Sequence, residues 1–282
     1  MKIALLGGGV VGQTYGAAFA KNGATLAGIC DSKPSDALKA LAAELGVAVH
    51  PTPGEWLADV DMVISAVFGT VALPVFEAAL PFLTAGTQYV DMTTADPEDM
   101  QRADALAKAK GIRFTDVAIT GAVNLQGIRT PLLFAGADAN AAAALYISSG
   151  SPVNVVGPKP GDAATLKLLR SIFTKGMEAL AVECLVTAEK RGLREELHLV
   201  LKDIDDGSLR NLMESMVRTH IEHSGRRANE VIEAQRQMQA AGVTPVVMPA
   251  VQARFEQTVQ QLAARGYTGK DTEAALQWLS TP

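Results

Sequence analysis

Cysteine is nearly missing from this chain. Cys30 and Cys184 are the only two in 282 residues, and neither stands in a C-x-x-C pair or a Cys/His cluster. That excludes a disulfide framework and a thiolate zinc site, and no metal is expected. Both cysteines fall in apolar runs and are expected as small core residues. Aromatic residues make up only 5% of the chain, so the helices are expected to pack through small residues. Positive charge is not in excess: 25 Lys and Arg against 30 Asp and Glu leave a net charge of −5. This argues against nucleic acid or an anionic membrane surface as the main partner. No apolar run reaches the roughly 18 residues of a membrane span. Met1-Lys2 leads directly into a strand pattern without signal-peptide architecture, so a cytoplasmic setting is expected.

What remains is ordinary globular composition, 48% hydrophobic and 20% charged, in a chain long enough for two domains. Lys2 to Leu6 (KIALL) has the apolar run of a short strand and meets GGGVVG at once. Gly7, Gly9 and Gly12 fit G-x-G-x-x-G. Gln13 to Asn22 then reads as a helix, and Thr25 to Cys30 as a second strand that ends in Asp31. In a strand–turn–helix–strand unit these glycines have separate tasks. Gly7 permits the tight turn, Gly9 lets the backbone approach a pyrophosphate, and Gly12 allows close helix–strand packing. The backbone N–H groups of Val10 and Val11 open the helix and face an anion. Asp31 is placed to accept hydrogen bonds from both hydroxyls of an adenosine ribose. A carboxylate there favours NAD. Ser32 and Lys33 would suit the extra phosphate of NADP if Asp31 turned away.

Strand and helix patterns alternate from there. Helices are expected at Pro34 to Leu45, at Val71 to Leu83 with interruptions at Pro74 and Pro81, and at Pro97 to Lys110. Strands are expected at Val47–Val49, Asp61–Val67, Gln88–Asp91, Ile112–Ile119, Leu132–Ala135 and Leu145–Ser148. The fold class is α/β: a Rossmann-type, doubly wound, mainly parallel sheet in residues 1–155, then an all-helical domain in residues 156–282. Ligands of such sheets lie beyond the strand C-termini. Those ends carry the glycine loop, Ala66-Val67, Thr93-Thr94 and Thr120-Gly121.

The two domains are joined by one helix over about residues 160–191, roughly 45 Å long at 1.5 Å per residue. Leu166, Leu169, Phe173, Met177, Leu180, Cys184 and Val186 recur at helical steps and form its expected buried face. Lys167, Ser171, Thr174 and Glu178 form a polar stripe. Beyond it, helices are expected at Leu193–Ile204, at Ser208–Ala241 with a break near Gly225, at Val246–Arg265 and at Thr272–Leu279. His220, Ser224 and Arg227 share a face of the second of these, either as a surface or as a wall of the substrate pocket.

Four segments resemble the β-hydroxyacid dehydrogenase superfamily, which includes 3-hydroxyisobutyrate and 6-phosphogluconate dehydrogenases. KIALLGGGVVG is similar to its cofactor fingerprint, YVDMTTADP to its D-x-S-T-x-x-P segment, and TDVAITGA to its D-x-P-V-S-G-G substrate segment. GPKPGDAATLKLLRS is similar to the segment in which the catalytic lysine falls on Lys167. The chain departs from these patterns at Ala118, Ala122, Pro158 and Ala163, at Arg170 and Ser171 in place of an asparagine pair, and at Thr174. The resemblance implies a nicotinamide-dependent oxidoreductase acting on a small hydroxy acid or polyol acid, and a helical domain that dimerises. Lys167 would be general base and acid. Thr120, Gly121, Arg170 and Ser171 would hold an anionic substrate, and Ala66, Val67 and Thr93 would meet the cofactor. Two other functions stay open: a non-catalytic dinucleotide sensor, which needs only the glycine loop and Asp31, and an imine reductase on the same fold.

Overall fold

The computed structural model describes residues 1–281. Its first elements are β1 (Lys2–Leu6), α1 (Val10–Lys21), β2 (Thr25–Cys30), α2 (Asp36–Leu45), β3 (Val49–His50), β4 (Met62–Ser65) and α3 (Ala72–Ala79). They continue with β5 (Gln88–Asp91), α4 (Pro97–Ala109), β6 (Arg113–Ile119), α5 (Val123–Gln126), β7 (Leu132–Ala135), α6 (Ala139–Ser148) and β8 (Val153–Gly157). The eight strands form one sheet in the order β3-β2-β1-β4-β5-β6-β7-β8. Every neighbouring pair is parallel except β6 and β7.

Helices cover both faces, so the inner strands are apolar on each side. Ile3 and Leu5 of β1 point into one core with Tyr15, Phe19 and Tyr146. Ala4 and Leu6 point into the other, with Phe76, Tyr89 and Phe114. Each aromatic trio packs ring to ring, including edge-to-face contacts at 4.8 Å for Phe19–Tyr146 and for Phe76–Tyr89. The few aromatics are thus concentrated where one ring buries the most area.

Helix α7 (Asp162–Arg191) is continuous over 30 residues. It is followed by α8 (Arg194–Val200), α9 (Lys202–Asp205), α10 (Leu209–Ala240), α11 (Met248–Arg265) and α12 (Thr272–Ser280). The chain divides into two compact units, Met1–Ser171 and the part from Ile172 onward, and the division falls inside α7. In the second unit the buried carboxylate of Glu183 accepts the backbone N–H groups of Val246, Val247 and Met248 at 2.5, 2.6 and 3.3 Å. It thereby caps the otherwise unpaired donors at the start of α11.

Several expectations need correction. Leu145–Ser148 is the last turn of α6, not a strand: the alanine-rich run before it propagates a helix and turns Leu145 and Tyr146 inward. The final strand is β8 instead, an edge strand whose half-exposed residues give no apolar alternation. Pro74 lies in the first turn of α3 and does not interrupt it, because no helical donor is needed there. Gly225 does not break α10, and Leu193–Ile204 is two short helices. The expected buried face of α7 is largely open in the single chain: Leu169 is 55% exposed, Met177 48%, and Cys184 is exposed. The residues turned inward are Ala163, Ala164, Glu183 and Ala188. The apolar periodicity is real, but the described residues of the lone chain leave most of it uncovered.

Candidate functional site

The glycine loop bridges β1 and α1. Gly7 has φ +98°, and a Cβ there would lie 2.6 Å from the carbonyl oxygen of Ala66. A Cβ on Gly12 would lie 2.0 Å from the carbonyl oxygen of Gly7. Neither position tolerates a side chain. A Cβ on Gly9 would meet nothing within 4 Å, so the open side of the loop is at Gly9. Gly9 caps α1 without a side-chain acceptor, which leaves the first-turn N–H groups, those of Val10 and Val11 among them, for an anion. This surface fits the pyrophosphate of a dinucleotide.

Asp31 follows β2 and faces this loop. Its Oδ2 accepts the Gly8 N–H at 3.0 Å and its Oδ1 accepts the Lys33 N–H at 2.8 Å. The carboxylate is therefore not turned away to make room for a phosphate beside Ser32 and Lys33. Ala66 and Val67, half-buried at the end of β4, stand against the glycine turn.

β5 ends in a buried carboxylate, Asp91, and the middle of β6 carries a second, Asp116. Asp91 and Asp116 are in register on these neighbouring strands. Asp91 Oδ1 accepts the Thr93 N–H at 2.9 Å and the Thr93 hydroxyl at 2.5 Å. Asp116 Oδ2 accepts the N–H groups of Gly161 at 2.9 Å and Ala164 at 3.1 Å, so it caps the first turn of α7. Burial pushes both acids up to about 6, against the hydrogen bonds they accept; the charge of Asp116 adds to the rise at Asp91. The second oxygen of each carboxyl has no protein partner among the described residues.

Lys167 sits one turn beyond Ala163 and Ala164, on the same side of α7. Its Nζ donates to the Thr94 hydroxyl at 3.0 Å. Burial, and then the charge of Arg170, hold its pKa below the ordinary lysine value. Thr94 has φ +55° and is the one non-glycine residue with positive φ among the described residues. Such a conformation costs about 1–3 kcal/mol and persists only where the surroundings enforce it.

The remaining expected site residues are placed as follows. The Thr120 N–H and hydroxyl both donate to the Pro131 carbonyl, at 2.9 and 3.0 Å, closing the turn after β6. A Cβ on Gly121 would lie 2.8 Å from Gln126 Oε1. Ser171 donates back to the Lys167 carbonyl at 3.0 Å, and Arg170 is exposed. In the second unit, His220 shares a 2.9 Å hydrogen bond with Thr258, Ser224 bonds to the Ile221 carbonyl, and Arg227 donates to Thr219. Burial, Arg254 and Arg227 hold the His220 pKa down. The first of these contacts joins α10 to α11, and the other two lie within α10.

Sequence reasoning missed the linking roles of Asp91 and Asp116 and the Thr94–Lys167 bond. The available signal was an acid inside a largely apolar strand pattern, at the end of β5 and in the middle of β6, followed two residues later by Thr93 in the first case. No cluster of three or more His, Cys, Asp or Glu placed to hold a metal occurs among the described residues. No helix among them is long and apolar enough to cross a membrane.

Residues 2–146 match the family model described as the NAD binding domain of 6-phosphogluconate dehydrogenase, and residues 188–258 match a domain of unknown function, DUF1932. The chain is 28% identical over 256 residues to an uncharacterized 28.5 kDa protein of Methanothermus fervidus, covering 91% of this chain and 98% of the other. A solved conserved protein of unknown function, described as structurally similar to 3-hydroxyacid dehydrogenases, is 28% identical with a TM-score of 0.65 and 99% of each chain covered. An imine reductase from Aspergillus terreus has a TM-score of 0.78 at 18% identity, with 98% of each chain covered, a likeness of fold alone. The glycine loop, the Asp31 contacts and the match over residues 2–146 agree: the chain carries an NAD-binding domain and belongs to the 6-phosphogluconate dehydrogenase-like family within the β-hydroxyacid dehydrogenase superfamily.

Proposed function

We propose that the protein is an NAD(P)-dependent oxidoreductase of small hydroxy acids or polyol acids, with Lys167 as general base in alcohol oxidation and general acid in the reverse direction. The observation that carries this reading is the environment of Lys167: a half-buried amine of lowered pKa beyond the C-terminal end of β5, in the sheet that bears the glycine loop. An ordinary surface lysine would stay protonated and could not take up a hydroxyl proton at neutral pH.

A bound nicotinamide supplies the two-electron acceptor. Gly7, Gly9, Val10, Val11 and Gly12 would hold its pyrophosphate, Asp31 its adenosine ribose, and Ala66, Val67 and Thr93 the part nearer the nicotinamide. The Asp31 carboxylate repels a second phosphate on that ribose, so NAD is favoured over NADP. Thr120, Gly121 and Ser171 would orient the substrate, and Arg170 would draw an anionic one. Residues 156–282 would complete the substrate site and form a homodimer. That assembly is supported by the uncovered apolar residues of α7 and by a groove of about 550 Å³ between α7, α8 and α10, including Leu180, Leu197, Ala234 and Met238.

The test is a screen of hydroxy acids with NAD⁺ and NADP⁺, and of cyclic imines with the reduced cofactors, read at the reduced-nicotinamide absorbance band. Turnover of a hydroxy acid supports the reading. Turnover of imines alone would replace it with imine reduction, in which Lys167 would serve as proton donor. Cofactor binding without turnover of either class would support a sensor.

A further inference from the structure

The Thr94–Lys167 contact joins two segments that are each anchored from below. On one side, Asp91 at the end of β5 accepts both the N–H and the hydroxyl of Thr93, which fixes the residue before Thr94. The turn after β4 runs close to the same segment: a Cβ on Gly69 would come within 3.3 to 3.5 Å of Ala95 Cα and of the Thr94 and Thr93 carbonyl oxygens. Under these constraints Thr94 takes φ +55°, a region in which a β-branched residue is strained. On the other side, Asp116 on the neighbouring strand holds Gly161 and Ala164 at the start of α7, one turn before Lys167. The strained threonine hydroxyl accepts from the lysine Nζ at 3.0 Å.

We infer that Thr94 is a positioning residue for Lys167: its enforced left-handed backbone presents Oγ1 so that the lysine amine is held in one rotamer with a defined proton direction. The inference rests on the proposed role of Lys167. It also explains the strain. Glycine would satisfy the backbone without cost but would supply no hydroxyl, and serine would supply the hydroxyl without the methyl group. Asp91 and Asp116 act one step further back, by fixing the two backbones that carry the partners.

The test uses the full chain without any substrate. Trace acetylation with acetic anhydride across a pH series, quantified at each lysine by mass spectrometry, reports the reactivity and titration midpoint of Lys167; exposed Lys175 on the same helix serves as reference. In Thr94→Ala the ammonium loses its acceptor and the amine gains freedom. Lys167 is then expected to label about two- to ten-fold faster, the range one hydrogen bond spans, with a lower midpoint. Thr94→Ser is expected to restore the parent profile. Thr94→Gly is expected to unfold at no lower temperature than the parent while labelling Lys167 as fast as Thr94→Ala does. Parent-like labelling in Thr94→Ala or Thr94→Gly would overturn the inference, and so would a serine variant that behaves like alanine. The catalytic role of Lys167 is judged separately, by the turnover of its own substitution, so the two ideas fail apart.

Discussion

At the scale of single residues, Lys167 and Asp31 carry the functional reading. Lys167→Ala is expected to lower turnover about 10²–10⁴-fold, the usual contribution of a positioned general base, with cofactor affinity nearly unchanged. Lys167→Arg is expected to be almost as damaging, since a guanidinium stays protonated at neutral pH. Turnover and cofactor titration of both variants beside the parent check this; an alanine variant at parent rate would make Lys167 a helix lysine and nothing more. Asp31→Ala is expected to weaken NAD binding and shift preference toward NADP. The carboxylate now spans the Gly8 and Lys33 N–H groups, and its removal frees those donors near the added phosphate. Kinetics with both cofactors decide it, and an unchanged ratio would end the NAD assignment. These two candidates could be picked out because each stands in a motif whose spacing suits its proposed chemistry. Thr94 was visible only as half of a Thr-Thr pair. Its positive φ occurs beside the Asp91–Thr93 bonds and the close turn at Gly69, and no local sequence rule encodes that.

Among the elements, α7 depends on a carboxylate that belongs to β6. Burial raises Asp116 from 3.8 to about 6. The folded state therefore holds its proton more tightly than the unfolded chain, and stability falls as pH rises through the interval between those values. Each pH unit across it removes at most about 1.4 kcal/mol. Asp116→Asn cannot titrate, so its stability relative to the parent is expected to improve as pH rises from about 4 to 6 and to level off above. Urea unfolding of both proteins at several pH values measures this. A difference independent of pH would mean that Asp116 does not change protonation in that range. The long helix itself was readable from its period, and β1, β5 and β7 agree residue for residue with their patterns. The errors at α6 and β8 share a cause: short apolar runs do not distinguish a buried helix turn from a strand, and an edge strand needs no apolar alternation. Inward-facing Glu183 was equally hidden, because its partners are the backbone N–H groups of a helix 63 to 65 residues away.

For the whole molecule, the sheet buries its apolar faces within one chain, whereas the helical part leaves many apolar residues exposed. Val182 is 59% exposed, Leu199 74% and Val200 75%, an unusual concentration of apolar surface for a monomer. A homodimer that buries it is expected, and light scattering at micromolar concentration should give twice the mass of the 29.6 kDa chain. A monomer at that concentration would contradict the proposal. The alternation of strands and helices made the sheet legible as a whole. The uncovered face could not be assigned from the pattern, since periodicity states that a face is apolar and not which chain covers it.

The bonds from Asp116 to Gly161 and Ala164 close loops of 45 and 48 residues. All of β7, α6 and β8 lie inside those loops. Ordering a segment of that length carries its entropy cost before the closing contacts repay it. The first turn of α7 is therefore tied to β6 across the whole far edge of the sheet. Lys167 stands one turn beyond that closure, so its place is set through the far edge of the sheet, whereas the glycine turn lies between β1 and α1.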